Sequence, residues 1–400
     1  MIANKLLNKK LLKYLFLVAI IFRFIYLNYM NWEYGYFTTG IPGIQYWLDS
    51  DRYLFGAENI LNNTPVLGRA NQYLGYLIFI ALIKYIGLSL EFVLIFQLIF
   101  SIIAAFALFN LTKSITEQSI GGYIAIALYL LNPFIVTWHT FILTESLYSS
   151  FVILSCWSIH KVINIRSFKY FILCLLIILS TILIRPNGWI FIPICICLLI
   201  YYSKFILSIK ISIIISVFFL FITGAICIPS LNNAINVTTP IYLLKKGEVV
   251  WGHPELRLEM PKEEIKNVEN WSQGYRYIIK HPFSCIKLAF YRIGTMFIQI
   301  RPHHSTIYKT HILLWIIPAY FLAFLGIIKY RLSIIVYIIL ALVIGHAFIV
   351  ALTYATHESR FIIYILPIIY LLSGCGFSFA LQKVKPFLTP TKNINKANKK

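Results

Sequence analysis

An all-α protein threaded about ten times through a membrane is the fold this sequence predicts, and three observations predict it. Of 400 residues, 60% are hydrophobic and only 12% charged, well outside the usual soluble balance. Apolar runs of roughly 18 to 22 residues recur, each long enough to cross the hydrocarbon core as a helix. The formal charge of +21 collects in short segments between these runs and at the two ends. In a multispan protein such Lys and Arg mark the cytoplasmic side, so the charge does not imply a nucleic-acid partner.

Apolar candidates run over 11–30, 72–88, 91–110, 119–137, 144–161, 168–185, 187–203, 208–228, 308–327, 332–352 and 361–381. The first follows several lysines, as a signal peptide would. It is about 20 residues long with no small-residue cleavage site, and reads as a retained anchor. If all eleven cross, the segments holding Lys161, Arg166 and Lys169, then Lys204 and Lys210, then Lys329 and Arg331, all fall outside. Removing one early candidate places each of them inside. The weakest is 72–88, "QYLGYLIFIALIKYIGL", which starts polar and contains Lys84, Gly75 and Gly87. It reads as a helix lying at or dipping into the outer face. Ten spans remain, with both ends inside and juxtamembrane helices outside. Residues 1–205 form one transmembrane module with an outer loop at 31–90. Residues 206–382 form a second region with an outer loop at 229–307, and 383–400 a basic cytoplasmic tail.

Thirteen of the fourteen acids then face outward, Glu117 excepted. Residues 44–61 read as an amphipathic surface helix on which Asp49, Tyr53 and Ala57 share a face. A carboxylate there can deprotonate a hydroxyl, bind a metal or stand solvated at a helix start. Glu145 in "LTES" lies at the outer mouth of a span, where a carboxylate is costly unless bonded, paired or hydrated. As a structural residue it would meet the helix dipole. Arg185 in "LIRPNGW" ends a span before a proline that can open the next helix. It suits either a snorkelling headgroup contact or an anion clamp. His357, Glu358 and Arg360 in "HESRF" open the last span. Carboxylates and arginines thus converge on one membrane face, an arrangement suited to a phosphate head at the interface with an apolar tail.

The segments "DSDRYLFGAENIL", "LNPF…ILTESLY", "LIRPNGWIFIP" and "ESRFIIYILPIIYLLSG" resemble the polytopic glycosyltransferases of the GT-C fold that use polyprenyl-phosphate sugars. These include the dolichyl-phosphate-mannose protein mannosyltransferases and the aminoarabinose transferases of lipid A. The likeness covers about 11–205 well and the C-terminal third loosely. It implies a glycosyltransferase moving a sugar from a polyprenyl-phosphate donor to a glycan, lipid or protein hydroxyl on the non-cytoplasmic face. The family spacing D-x-x-x-Y-x-x-x-A selects Asp49 as base, with Tyr53 and Ala57 following. Glu145 matches the acid of the second outer loop, which arranges the site or, in some members, a divalent metal, for which Asp49 and Glu145 would be the ligands. Asp51, Tyr53, Arg185, His357, Glu358 and Arg360 would contact substrate. Relatives often open the surface helix with a basic residue and paired prolines, whereas this chain has "RANQYLGY" at 69–76, so acceptor specificity does not carry over.

No glycine-rich nucleotide loop is present, which suits a donor without a nucleotide. Two rival classes are a lipid-linked glycan transporter or flippase, and a polysaccharide polymerase or ligase. A transporter needs ionisable or broken-helix features at midspan, where Tyr129, Ser155, Ser180 and His346 are the main polar exceptions. In the 229–307 loop, Tyr277, Ile278, Phe283, Ile286 and Phe290 suggest an amphipathic lid, and Cys227 could pair with Cys285 in a disulfide. The adjacent His303 and His304 point in different directions on most backbones. A compact chain without large soluble insertions suits a bacterial inner membrane with the site facing outward.

Overall fold

The computed structural model describes residues 2–35, 40–47, 49–203, 243–262, 271–301, 304–355 and 360–388. Among these the helices are α1 (Ile2–Tyr34), α2 (Ser50–Leu61), α3 (Leu74–Tyr85), α4 (Glu91–Thr116), α5 (Ser119–Leu130), α6 (Pro133–Thr137) and α7 (Thr144–Ile165). There follow α8 (Phe168–Ile184), α9 (Phe191–Ser203), α10 (Trp271–Lys280), α11 (Pro282–Ile298), α12 (Thr306–Tyr330), α13 (Ile334–Leu352) and α14 (Leu366–Leu388). Among the described residues, extended pairing is confined to two isolated bridges.

Five helical stretches are long and apolar enough to cross a membrane: Leu11–Tyr34, Glu91–Thr116, Thr306–Tyr330, Ile334–Leu352 and Leu366–Val384. A sixth is formed if Ser119–Leu130 and Pro133–Thr140, bent by 49°, count as one span. Five or six spans are therefore seen among the described residues against about ten expected. The expected span at 208–228 lies outside those residues. α8 is only 17 residues long, about 26 Å at 1.5 Å per residue. α7 has the length, but its serines and Glu145 dilute its hydropathy. The expected surface helix at 72–88 is α3, whose 12 residues reach about 18 Å. It packs on α2 and α8.

The core is continuous from Ile20 and Phe24 of α1 to Cys375 of α14. α14 lies against α12, α5 and α4, while α7 fills the space between α4 and α8. Small residues permit these approaches: a Cβ at Gly376 would strike the Leu322 carbonyl of α12, and one at Gly374 would strike the Gly121 carbonyl of α5. Lipid tails offer no hydrophobic drive for helix association, so close van der Waals fit carries much of it. The α5–α6 break is pinned by Asn132. Its side chain caps α6 through the Phe134 amide at 2.7 Å and donates to the Tyr370 hydroxyl. That hydroxyl also accepts from the Trp315 indole at 3.1 Å.

Beyond α9, residues 243–258 fold into a compact plug. Gly247 adopts φ +64°, and the Leu258 amide donates to its carbonyl at 2.9 Å. The plug is tied to the end of α13 by a bridge between Val250 and Ala355. Fully buried Arg292 of α11 secures both, donating to the carbonyls of Glu248 and Ala351 at 3.0 Å each and of Leu243 at 3.4 Å. Burial lowers its pKa to about 10, with Glu248 pulling the other way, so it stays charged at neutral pH. The amphipathic segment expected over 277–290 is divided otherwise than its apolar residues suggested. Tyr277 is buried, whereas Phe283, Ile286 and Phe290 face outward. Cys285 is a half-buried thiol, and Cys227 lies outside the described residues.

Candidate active site

Asp49 sits one residue before α2, at the helix's N-cap position, with its side chain turned away from the cap. Residues 44–47 are not helical, whereas the helix is expected to begin at residue 44. The Gln45 amide donates to the Thr140 carbonyl at 2.9 Å, and the Ile142 amide donates to the Gln45 carbonyl at 3.3 Å. This bridge joins the segment before α2 to the one that leads into Glu145. Gln97 of α4 holds that segment from beneath, donating to the carbonyls of His139 and Phe141. His139 Nδ1 donates to the Ile135 carbonyl at 2.8 Å, which leaves Nε2 to accept from Ser101 at 2.8 Å.

Glu145 lies in the first turn of α7 and is fully buried. Its Oε1 accepts from Arg185 Nη1 at 3.0 Å, from the Tyr364 hydroxyl at 3.0 Å and from Arg360 Nε. Arg185 follows α8 in extended conformation, and Pro186 opens the 3₁₀ turn after it. Its guanidinium also donates to Thr144 Oγ1 and lies 4.4 Å from the centre of the Tyr364 ring. Arg360 spans the site: while Nε holds Glu145, Nη1 donates to Asp49 Oδ2 at 2.8 Å. The other Asp49 oxygen pairs with Arg52 at 2.8 Å.

The structure therefore brings Asp49, Glu145, Arg185 and Arg360 into one cluster, with Asp49 and Glu145 separated by a single guanidinium. The Asp49 side chain is 21% exposed and that of Glu145 0%, so neither carboxylate stands solvated at a helix start. Tyr53 is buried against Tyr73 and Tyr76, with ring centres 5.1 and 5.2 Å away. Asp51 is exposed and does not join them. His357 and Glu358 lie outside the described residues. Sequence reasoning missed Arg52, Thr144, Tyr73 and Tyr364. Two of these carried a local signal, since Arg52 stands three residues after Asp49 and Tyr364 four after Arg360. His346, expected to pack against another span, donates from Nε2 to the Phe361 carbonyl at 2.8 Å and so buttresses the residue next to Arg360.

Electrostatics favour an anion. Two carboxylates face three guanidiniums, leaving one net positive charge. Burial raises the Asp49 pKa, but Arg360 and Arg52 outweigh it and hold the carboxyl below its ordinary value. Buried Glu145 Oε2, Arg185 Nε, Arg360 Nη2 and the Tyr53 hydroxyl have no protein partner among the described residues. Three of these four are donors or potential donors, which suits phosphate or sugar oxygens. A divalent cation does not fit. Both Asp49 oxygens and Glu145 Oε1 are held by guanidiniums, and no group of three His, Cys, Asp or Glu residues gathers among the described residues. His304, instead of facing a metal, has its Nδ1 on the Arg301 amide.

A family model described as dolichyl-phosphate-mannose-protein mannosyltransferase matches residues 74–228. The protein is thus a multi-spanning membrane protein carrying a domain related to the polyprenyl-phosphate-sugar transferases. The matched stretch includes Glu145 and Arg185, while Asp49 and Arg360 reach the cluster from either side of it. No curated protein matches the chain.

Proposed function

We propose that this protein is a glycosyltransferase that moves a sugar from a polyprenyl-phosphate carrier to an acceptor hydroxyl on the non-cytoplasmic face of the membrane. The observation that carries this reading is the single guanidinium of Arg360 shared by Asp49 and Glu145, with Arg185 on the far side of Glu145. The related domain over 74–228 supports the donor class. The lysine-rich segments between the apolar runs, read as cytoplasmic, support a cluster at the outer interface.

In the reaction the acceptor oxygen attacks the anomeric carbon and a new C–O bond forms. Asp49 takes the acceptor proton. The bond from the anomeric carbon to the phosphate oxygen breaks, and polyprenyl phosphate leaves with the electron pair. Arg360 and Arg185 meet the charge that develops on that oxygen. The depressed Asp49 pKa makes it a weak base while Arg360 holds it. A donor phosphate that draws Arg360 toward itself raises that pKa, so donor binding would itself arm the base. Glu145 holds both guanidiniums in register for this exchange.

The test is transfer by the purified protein from a panel of synthetic polyprenyl-phosphate hexoses, read as release of polyprenyl phosphate. Release without added nucleotide sugar is expected. A requirement for a nucleotide sugar would contradict the reading.

A further inference from the structure

Glu117 is the acid that charge sorting leaves on the lysine-rich side. It ends α4 in the left-handed conformation, at φ +58°, where glycine is the ordinary choice because it has no Cβ to clash. The residue is exposed, and among the described residues its carboxylate enters no ion pair or hydrogen bond. The Tyr330 phenol at the end of α12 feels its charge without bonding to it.

Beside Glu117 opens a cavity of about 1100 Å³, bounded by the early part of α1, the start of α5 and the end of α14. Its apolar walls include Leu15, Phe16, Tyr123 and Leu381, with the Phe16 and Tyr123 rings edge to face at 5.9 Å. Packed proteins hold few voids larger than a water molecule. This one lies along the apolar stretch Leu11–Tyr34, where Leu12, Leu15 and Phe16 stand open to their surroundings. Farther along α1, Asn31 donates to Thr140 at 2.9 Å. At 1.5 Å per residue, Lys13 is about 27 Å from that contact, so the cavity lies at the opposite end of α1 from the arginine cluster. Its rim is polar. Lys13 Nζ donates to Ser119 Oγ at 3.4 Å, which brings the ammonium to the turn that carries Glu117, yet the two charges do not pair. Gln118 and Gln382 add two side-chain amides to the same rim.

A lysine alone at the mouth of an apolar cleft would favour an anionic headgroup. The carboxylate beside it opposes a second negative charge, and a headgroup with a cation next to its phosphate satisfies both. A primary ammonium also donates hydrogen bonds to a carboxylate, whereas a trimethylammonium has none to give. We propose that this cavity binds a membrane phospholipid with a primary-amine headgroup, its phosphate on Lys13, its ammonium on Glu117 and its acyl chains along α1 and α14. The site is separate from the transfer reaction and does not depend on it.

The purified full-length protein is stripped of lipid in detergent and offered equal amounts of five dioleoyl lipids. These are phosphatidylethanolamine, its N-methyl and N,N-dimethyl forms, phosphatidylcholine and phosphatidylglycerol. Native mass spectrometry reads the bound lipid. Phosphatidylethanolamine is expected to be retained about fivefold or more over phosphatidylcholine, the scale of one net hydrogen bond, with the methylated forms in order between them. This series changes only the lipid, so it needs no variant to fold. Glu117→Gln is expected to bring phosphatidylethanolamine down to the level of phosphatidylcholine, and Lys13→Gln to weaken both. Equal retention of the two lipids by wild type would overturn the proposal, as would a Glu117→Gln variant that keeps the preference. Phosphatidylglycerol held more tightly than phosphatidylethanolamine would make this an anionic-lipid site, and a lipid-free dimer would give the cavity to a second copy of the chain; either result contradicts the proposal.

Discussion

Replacing Glu145 by Gln is the perturbation that most directly probes how the cluster is held together. The amide keeps the size and one acceptor oxygen of the carboxylate but removes the charge that sits between Arg185 and Arg360. The net charge of the five ionised groups then rises from one to two inside a buried site. Leaving a buried charge without its partner costs about 3–5 kcal/mol. Arg360 keeps Asp49 and Arg185 keeps Thr144, so the lower end applies, about 3 kcal/mol. Tyr364→Phe provides the scale, because it removes one neutral donor of the three on Glu145 Oε1 and should cost about 1.5 kcal/mol. The assay is equilibrium unfolding of the purified variants in one detergent. A Glu145→Gln variant less destabilised than Tyr364→Phe would refute the argument that charge balance, rather than hydrogen-bond count, organises the site.

Two further predictions concern Asp49 and the Arg292 strap. The Asp49 pKa is lower in the folded protein than in the unfolded chain, so its stabilisation is fully present above the unfolded value, about 3.9, and is lost as pH falls through the folded value. The stability difference between wild type and Asp49→Asn should therefore be flat from about pH 5 to 8 and shrink only below about 4; a difference already shrinking at pH 6 would contradict it. Arg292→Met removes three bonds to buried carbonyls, and should cost about 2–4 kcal/mol. Hydrogen exchange should quicken in peptides covering 243–258 and 349–355 while α4 and α5 stay protected, and uniform protection throughout would exclude Arg292 as a strap.

Much of the helical layout was legible because bilayer thickness imposes length and apolarity on each span, and both can be read locally. The demotion of 72–88 rested on Lys84 and the glycines, and α3 is indeed too short for a simple crossing. Asp49, Glu145, Arg185 and Arg360 could be singled out because a charge at a span end is costly without a partner. Their pairing could not be read, since Arg360 and Asp49 stand 311 residues apart and no periodicity encodes such a contact. The non-helical segment before Asp49 was hidden for a similar reason: the Gln45 backbone is fixed by the distant Thr140 and Ile142, although its side chain bonds the nearby Ile41 and Gly43 carbonyls. The amphipathic loop shows a different limit. Periodicity reveals that a helix has an apolar face, but beside lipid that face can point outward. In α11 Phe283 and Phe290 do so, while Arg292 turns inward to the backbone carbonyls.

The most direct test of the central claim compares Asp49→Asn with Asp51→Asn in transfer from a polyprenyl-phosphate sugar, in membranes matched for protein level. Both variants remove one carboxylate at the start of α2. Asp49 is bonded to Arg360 and Arg52, whereas Asp51 is exposed and points about 200° away on a helix. Asp49→Asn should insert normally and lose turnover on the order of 10²–10⁴-fold, the usual contribution of a general base, while Asp51→Asn stays near wild type. Wild-type turnover in Asp49→Asn would contradict the account, and a loss confined to Asp51→Asn would place the base on the other carboxylate.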